Sequence, residues 1–144
     1  MIKLFLIFLF LAALNVFPQA ERYTKGAENG YAWFAMDDSA LHYSISKENY
    51  LSSILDRIKL TKEVYPEVSS LGCKNEINLL IKQGKSEEIS LNHIVTEINN
   101  FYSQKDNMVI PIIFAYCYTI KKLAGTSSQD LELYKNEVLL FCYE

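Results

Sequence analysis

The stretch of sequence that most constrains the fold lies between residues 112 and 120. From Ile112 to Ile120 every residue is apolar or aromatic except Thr119. A helix that is apolar on every face must be surrounded by protein on every side. The stretch therefore predicts the central helix of a small helical domain, beginning at Pro111 and stopped by Gly125.

Four other segments carry the apolar spacing of amphipathic helices. Short polar connections separate them, and Gly84 is a helix stop of the same kind as Gly125. Before these helices, Glu21–Glu28 is predicted to be a loose polar arm and Asn29-Gly30 a turn. The pattern predicts an all-α fold, a compact bundle of about five helices in a single domain over residues 21–144. The four additional helices are predicted at about Ser39–Val64, at about Lys74–Gln83, from the N-cap Ser90 to Tyr102, and after the N-cap Ser127 or Ser128.

The first twenty residues have the pattern of a secretory signal peptide. Lys3 precedes an unbroken apolar run from Leu4 to Leu14, and Ala20 is the expected cleavage site. The run is shorter than the roughly 20 apolar residues that a membrane-spanning helix needs. We therefore expect a periplasmic or secreted protein with no stable membrane anchor after cleavage. An uncleaved N-terminal anchor is the alternative.

The charge of the chain argues against one class of partner. Without Lys3, 13 basic and 17 acidic residues remain, which gives a net charge of −4. A nucleic acid backbone requires a basic face, so no nucleic acid partner is expected.

Three cysteines follow the leader segment, at positions 73, 117 and 142. In an exported protein two of them are expected to pair. Cys117 lies in the apolar stretch, where a free cysteine acts as a small buried hydrophobe. The expected disulfide is therefore Cys73–Cys142, and the alternative is that all three are reduced.

The sequence contains no catalytic, cofactor or metal motif that withstands inspection. His93 and Glu97 share a helix face, but a zinc site needs three or four ligands, and no further pair has comparable spacing. Cys117 is expected to be buried in apolar surroundings, which make a thiol inert. We predict no enzyme activity, no cofactor and no metal. A small hydrolase or metal-dependent enzyme built on His93 and Glu97 stays an alternative, as does a structural module of the cell envelope.

Aromatic and polar residues near two loops are the remaining functional signal. Aromatic side chains are favoured at protein interfaces because they add large contact area at little entropic cost. The alternative is that these aromatics close the ends of the bundle as part of the core. The candidate binding residues are Asn29, Tyr31, Trp33, Tyr102, Asp106 and Asn107.

Two segments resemble a group of small secreted bacterial proteins of unknown function. The first is Asn29-Gly30-x-x-Trp33, and the second runs from Phe101-Tyr102 through Asp106-Asn107 to Ile110-Pro111. That group is in turn similar to the Rap/Tai immunity proteins of type VI secretion. The resemblance implies an exported, all-helical protein that blocks a toxic effector by binding it, without catalysis. It also implies cysteines in places comparable to Cys73 and Cys142.

Overall fold

The computed structural model describes residues 21–38, 45–53 and 71–144. The predicted signal peptide and most of the predicted helix over residues 39–64 lie outside these ranges. The all-α prediction is confirmed, with one small hairpin added. The strands are β1 (Tyr23–Thr24) and β2 (Ala27–Glu28), and the helices are α1 (Gly30–Ala35), α2 (Lys74–Lys82), α3 (Leu91–Tyr102), α4 (Ile112–Leu123) and α5 (Ser128–Tyr143). Residues 47–53 are also helical, and 3-10 turns occupy Lys85–Glu87 and Lys105–Val109.

Helix α4 is the centre of the bundle, as its sequence predicts. It packs against α3, α5 and α2. Ile112, Ala115 and Cys117 are almost completely buried, while Ile113 and Tyr118 are only half-buried. Each large apolar side chain removed from water here stabilises the fold by roughly 1.5–3 kcal/mol.

The predicted helix caps and stops occur in the structure. The Ser90 hydroxyl accepts a hydrogen bond from the His93 backbone N–H (3.1 Å), and Ser127 caps α5 in the same way. Gly125 has a φ of +89°, and the N–H groups of Gly125 and Thr126 donate to the last carbonyls of α4. This Schellman arrangement requires a left-handed residue, which glycine adopts without a steric penalty.

The prediction of a loose N-terminal arm is wrong. Residues 23–28 form the antiparallel pair β1–β2, whose turn has positive φ at Lys25 (49°) and Gly26 (80°). The Thr24 hydroxyl donates to the Val109 carbonyl oxygen over 2.6 Å. Positive φ at both central residues is the geometry of a tight hairpin turn. The stabilising partner lies 85 residues further on, so local composition carries no sign of it.

The predicted turn at Asn29-Gly30 and the predicted helix at Ser39–Val64 are also wrong in part. Asn29-Gly30 is not a simple turn but the start of the six-residue helix α1. Within the predicted helix Ser39–Val64, Ile45 and Ser46 lie outside any helix, and a helix begins at Lys47, where the Ser46 carbonyl oxygen accepts the backbone N–H of Tyr50 (2.9 Å). The Ser46 hydroxyl accepts the Asn49 backbone N–H (3.3 Å), so Ser46 caps this helix, and the capping preference of serine outweighs the apolar spacing at this position.

The disulfide joins Cys73 to Cys117, and this corrects the expected Cys73–Cys142 pair. Cys73 is the N-cap residue of α2, α2 packs against α4, and Cys117 lies in the middle of α4. The two Cα atoms are 5.1 Å apart, within the range that a disulfide bridges. Cys117 is buried as predicted, but Cys142 is the free thiol, half-buried near the end of α5.

Candidate functional site

The two segments that carry the candidate residues meet in space. Asn29 pairs with Pro111 in an isolated β-bridge, and Gly30 lies against Tyr102 and the backbone of Met108. We call the contact between Asn29–Ala35 and Tyr102–Pro111 the junction. The structure therefore brings together residues that are about 70–80 positions apart in the sequence.

The side chain of Asn29 is buried inside the protein. It is 1% exposed, and its Oδ1 accepts the Tyr31 backbone N–H over 3.0 Å. Its Nδ2 donates to the Glu21 carbonyl oxygen (2.8 Å) and to the Thr24 hydroxyl (3.0 Å). Because both ends of the amide are satisfied within the chain, Asn29 caps α1 and ties it to the hairpin.

Tyr102 is a buried anchor with one internal partner. Its hydroxyl donates to the Ile110 carbonyl oxygen over 2.8 Å. Burial raises the pKa of this phenol well above its usual value, and nearby Tyr50 and Cys142 raise it further, so it remains a neutral donor. A Cβ added at Gly30 would lie 2.7 Å from the Tyr102 ring, so only glycine permits this approach.

Asn107 holds the 105–109 turn from within. It is 3% exposed, and its Nδ2 donates to the Phe101 carbonyl oxygen over 2.7 Å. That carbonyl belongs to the last turn of α3, where helix geometry leaves it without an intrahelical partner. The neighbouring residues Gln104, Lys105 and Asp106 are exposed. The turn is therefore anchored on its inner side and presents polar side chains on its outer side.

Trp33 is fully buried, and its indole Nε1–H donates to Asn99 Oδ1 over 2.7 Å. Lys47 reaches the same oxygen (3.3 Å), lies 5.0 Å from the centre of the Trp33 ring and 5.1 Å from that of Phe34, and pairs with Asp37. Lys47 is 7% exposed, and its ammonium group is surrounded by two aromatic rings and a carboxylate. Neither Lys47 nor Asn99 was singled out from the sequence, and no local motif marks them.

The six candidate residues thus divide into two groups. Asn29, Trp33, Tyr102 and Asn107 are buried and hydrogen-bonded within the chain, so the core alternative describes their surroundings. Tyr31 is half-buried and Asp106 is exposed. Phe34, which was not among the six, is 38% exposed with its ring 6.5 Å from the Tyr102 ring. Its position next to Trp33 in an aromatic run already indicates it in the sequence as part of a possible binding patch.

The other chemically interesting residues show no catalytic geometry in the described part of the chain. His93 is exposed, and the Glu97 carboxylate pairs with Lys122. Within residues 21–38, 45–53 and 71–144, no group of three or more His, Cys, Asp or Glu residues could hold a metal ion. Burial raises the pKa of the Cys142 thiol to about 11, with Lys25 opposing that shift, and this is the opposite of an activated nucleophile.

Comparison with known proteins assigns no family to the chain. No protein-family model matches it, and neither a curated protein nor a solved structure matches it. No helix among the described residues is long and apolar enough to cross a membrane. The class that the fold defines is therefore a small all-helical, disulfide-linked domain.

Proposed function

We propose that this chain is an exported binding protein without catalytic activity, which blocks a toxic protein in the manner of an immunity protein. The observation that supports binding is the construction of the junction. Its exposed side chains neighbour the buried residues Asn29, Tyr102 and Asn107, whose polar atoms form hydrogen bonds inside the chain. Export and the immunity role are supported by the leader sequence and by the resemblance to Rap/Tai proteins.

The proposed contact surface consists of Tyr31, Phe34 and the outer side of the 105–109 turn. Association costs free energy when side chains and loops must be ordered on binding. Here the turn is already held by the Asn107 amide and the Tyr102 hydroxyl. A partner would therefore meet a preformed surface with an aromatic centre and a polar edge, which is the usual composition of a protein interface.

Four titratable side chains are poorly suited to act as a general base or a nucleophile. Burial raises the pKa of Tyr102, Tyr116, Tyr134 and Cys142, which keeps each of them neutral. A general base or a nucleophile needs a pKa near the working pH or below its usual value. A protein that acts by occlusion needs neither.

Site-specific photocrosslinking in the cells that produce the protein tests binding through this surface. A photoreactive phenylalanine analogue replaces Phe34, and the same analogue at Ile81 is the control. Ile81 is more exposed, at 58%, but lies on α2. We expect a crosslinked protein at position 34 that is absent at position 81. The same products at both positions, or none at position 34, would refute binding at the junction.

The immunity role is tested with the gene of the crosslinked protein. Expressed alone in the periplasm it should arrest growth, and expression together with this chain should restore growth. Phe34→Asp should abolish the rescue, whereas Ile81→Asp should preserve it. A crosslinked protein that is harmless when expressed alone would exclude the immunity role while leaving the binding result intact.

A further inference from the structure

Helix α5 has a second apolar face that points away from the core. Leu133, Leu140 and Tyr143 are 55%, 64% and 74% exposed. Positions i, i+7 and i+10 lie on one side of a helix, so these three side chains form a stripe. We call it the α5 stripe. The opposite side of the same helix fills the core with Leu131, Tyr134 and Val138.

Acidic side chains border the α5 stripe. Glu137 and Glu144 each follow a leucine of the stripe by four residues, which makes them its neighbours on the helix surface. Both are exposed, and no hydrogen bond or ion pair reaches either side-chain carboxylate within the described ranges of the chain. On the other side, Glu132 already pairs with Lys135. The border of the stripe therefore carries uncompensated negative charge.

We propose that the α5 stripe is a docking surface for a basic amphipathic segment of a partner protein. Apolar side chains of that segment would cover Leu133, Leu140 and Tyr143, and its lysines or arginines would pair with Glu137 and Glu144. Complementary charge around an apolar centre is what sets orientation and suppresses wrong partners at protein interfaces. This surface is separate from the junction, and the inference does not depend on the proposed immunity role.

Charge also argues against a second copy of this chain as the occupant. Glu137 lies midway between Leu133 and Leu140 along the helix. An antiparallel two-fold pair of stripes would bring the two Glu137 carboxylates to the same side of the interface, and a parallel pair would place the Glu137 border of each helix against the Glu132 border of the other. Like charges placed against each other weaken such an interface. An anionic lipid surface is disfavoured for the same reason.

Binding of two synthetic helical peptides tests the inference. Both are about 18 residues long, or about five helical turns, and carry the same leucine stripe. One has lysines beside the stripe and the other has glutamates. The protein is purified from cells that express the full-length gene, and fluorescence anisotropy measures the binding of each peptide to it. We expect the basic peptide to bind at least about tenfold more tightly than the acidic one.

Matched variants locate the binding. Leu140→Ser should weaken the basic peptide about tenfold, the scale of a truncated apolar anchor, whereas Ile81→Ser on α2 should leave binding unchanged. Glu137→Lys should reduce the preference for the basic peptide, whereas Glu88→Lys in an exposed turn should not. Leu140 and Glu137 are both exposed, so neither change should disturb the fold, which circular dichroism checks.

Four results would overturn the proposal. They are equal binding of the two peptides, equal weakening by Leu140→Ser and Ile81→Ser, a concentration-dependent dimer that Leu140→Ser dissolves, and adsorption to phosphatidylglycerol vesicles that depends on Leu140. Crosslinking at position 34 in the Leu140→Ser variant tests whether the two surfaces are independent. If the α5 stripe proposal is wrong, the crosslink at the junction should still form.

Discussion

Gly30→Ala is expected to destabilise the fold although alanine is the better helix former. Gly30 is the first residue of α1, where alanine alone would gain roughly 0.5–1 kcal/mol. Its Cβ, however, would lie 2.7 Å and 2.9 Å from two Tyr102 ring atoms and 3.0 Å from Met108 Cα. The ring is held by its bond to Ile110, and the third atom is backbone, so neither yields easily.

Overpacking of a close-packed site costs about 1–3 kcal/mol and sometimes more. Two ring atoms and one backbone atom are involved, so the upper part of that range applies. After the helix gain is subtracted, we expect a net loss of about 2 kcal/mol. In a domain of this size that corresponds to a fall in Tm of roughly 6–8 °C.

Urea unfolding followed by circular dichroism measures the loss. Gly84→Ala is the control, because Gly84 has a φ of +70° but no atom within 4 Å of an added Cβ. It should lose only the free energy needed to place alanine in the left-handed conformation, about 1 kcal/mol. Repeating both changes in a Tyr102→Leu background isolates the steric term. The cost of Gly30→Ala should then fall by at least about 1 kcal/mol, and that of Gly84→Ala should not change.

Two outcomes would refute the steric reasoning. One is a Gly30→Ala protein as stable as the parent or more stable. The other is a Gly30→Ala cost that is the same with Tyr102 and with leucine at that position, since the clash would then not be its source.

Four further predictions concern stability and thiol chemistry. Replacing Cys73 and Cys117 by alanine should cost about 4 kcal/mol in urea unfolding, the chain-entropy value for residues 44 apart in sequence. In the folded chain, alkylation of Cys142 by iodoacetamide should rise with pH around 11, not around 9 as in the urea-unfolded chain. Because that folded pKa is raised, the stability contribution of the neutral thiol is complete below pH 9 and is lost as pH rises through 11, which Cys142→Ser should remove. Asn29→Asp keeps the cap to α1 but loses the N–H groups donated to Glu21 and Thr24 and buries a carboxylate oxygen against the Glu21 carbonyl oxygen, so in urea unfolding it should cost at least as much as Asn29→Ala.

The parts of the fold that could be predicted are those whose cause is local. The apolar run of α4, the N-caps Ser90 and Ser127 and the stops Gly84 and Gly125 are all visible in a few neighbouring residues. The parts that could not be predicted depend on distant contacts. The hairpin needs Val109, and the pairing of Cys73 depends on how α2 crosses α4.

The site could be predicted in location more than in role. The sequence offers Asn29 and Asn107 as candidate binding residues, and both lie at the junction. Their types do not tell whether an amide faces a partner or satisfies the chain's own backbone, because the same hydrogen bonds serve both purposes. Tyr102 poses the same problem, since a tyrosine suits both an interface and a core. Burial decides, and burial is a property of the assembled fold.

The hairpin at residues 23–28 also sets the order in which the domain can be completed. Thr24 bonds to Val109, and the Lys25 ammonium lies 4.8 Å from the centre of the Phe141 ring. The first described element therefore cannot reach its final contacts until the last helix has been synthesised. These six residues have nearby native partners in each other and in Asn29, but their long-range partners Val109 and Phe141 lie 85 and 116 residues further along the chain. Closure is consequently expected as a single late event, with first and last elements joining together.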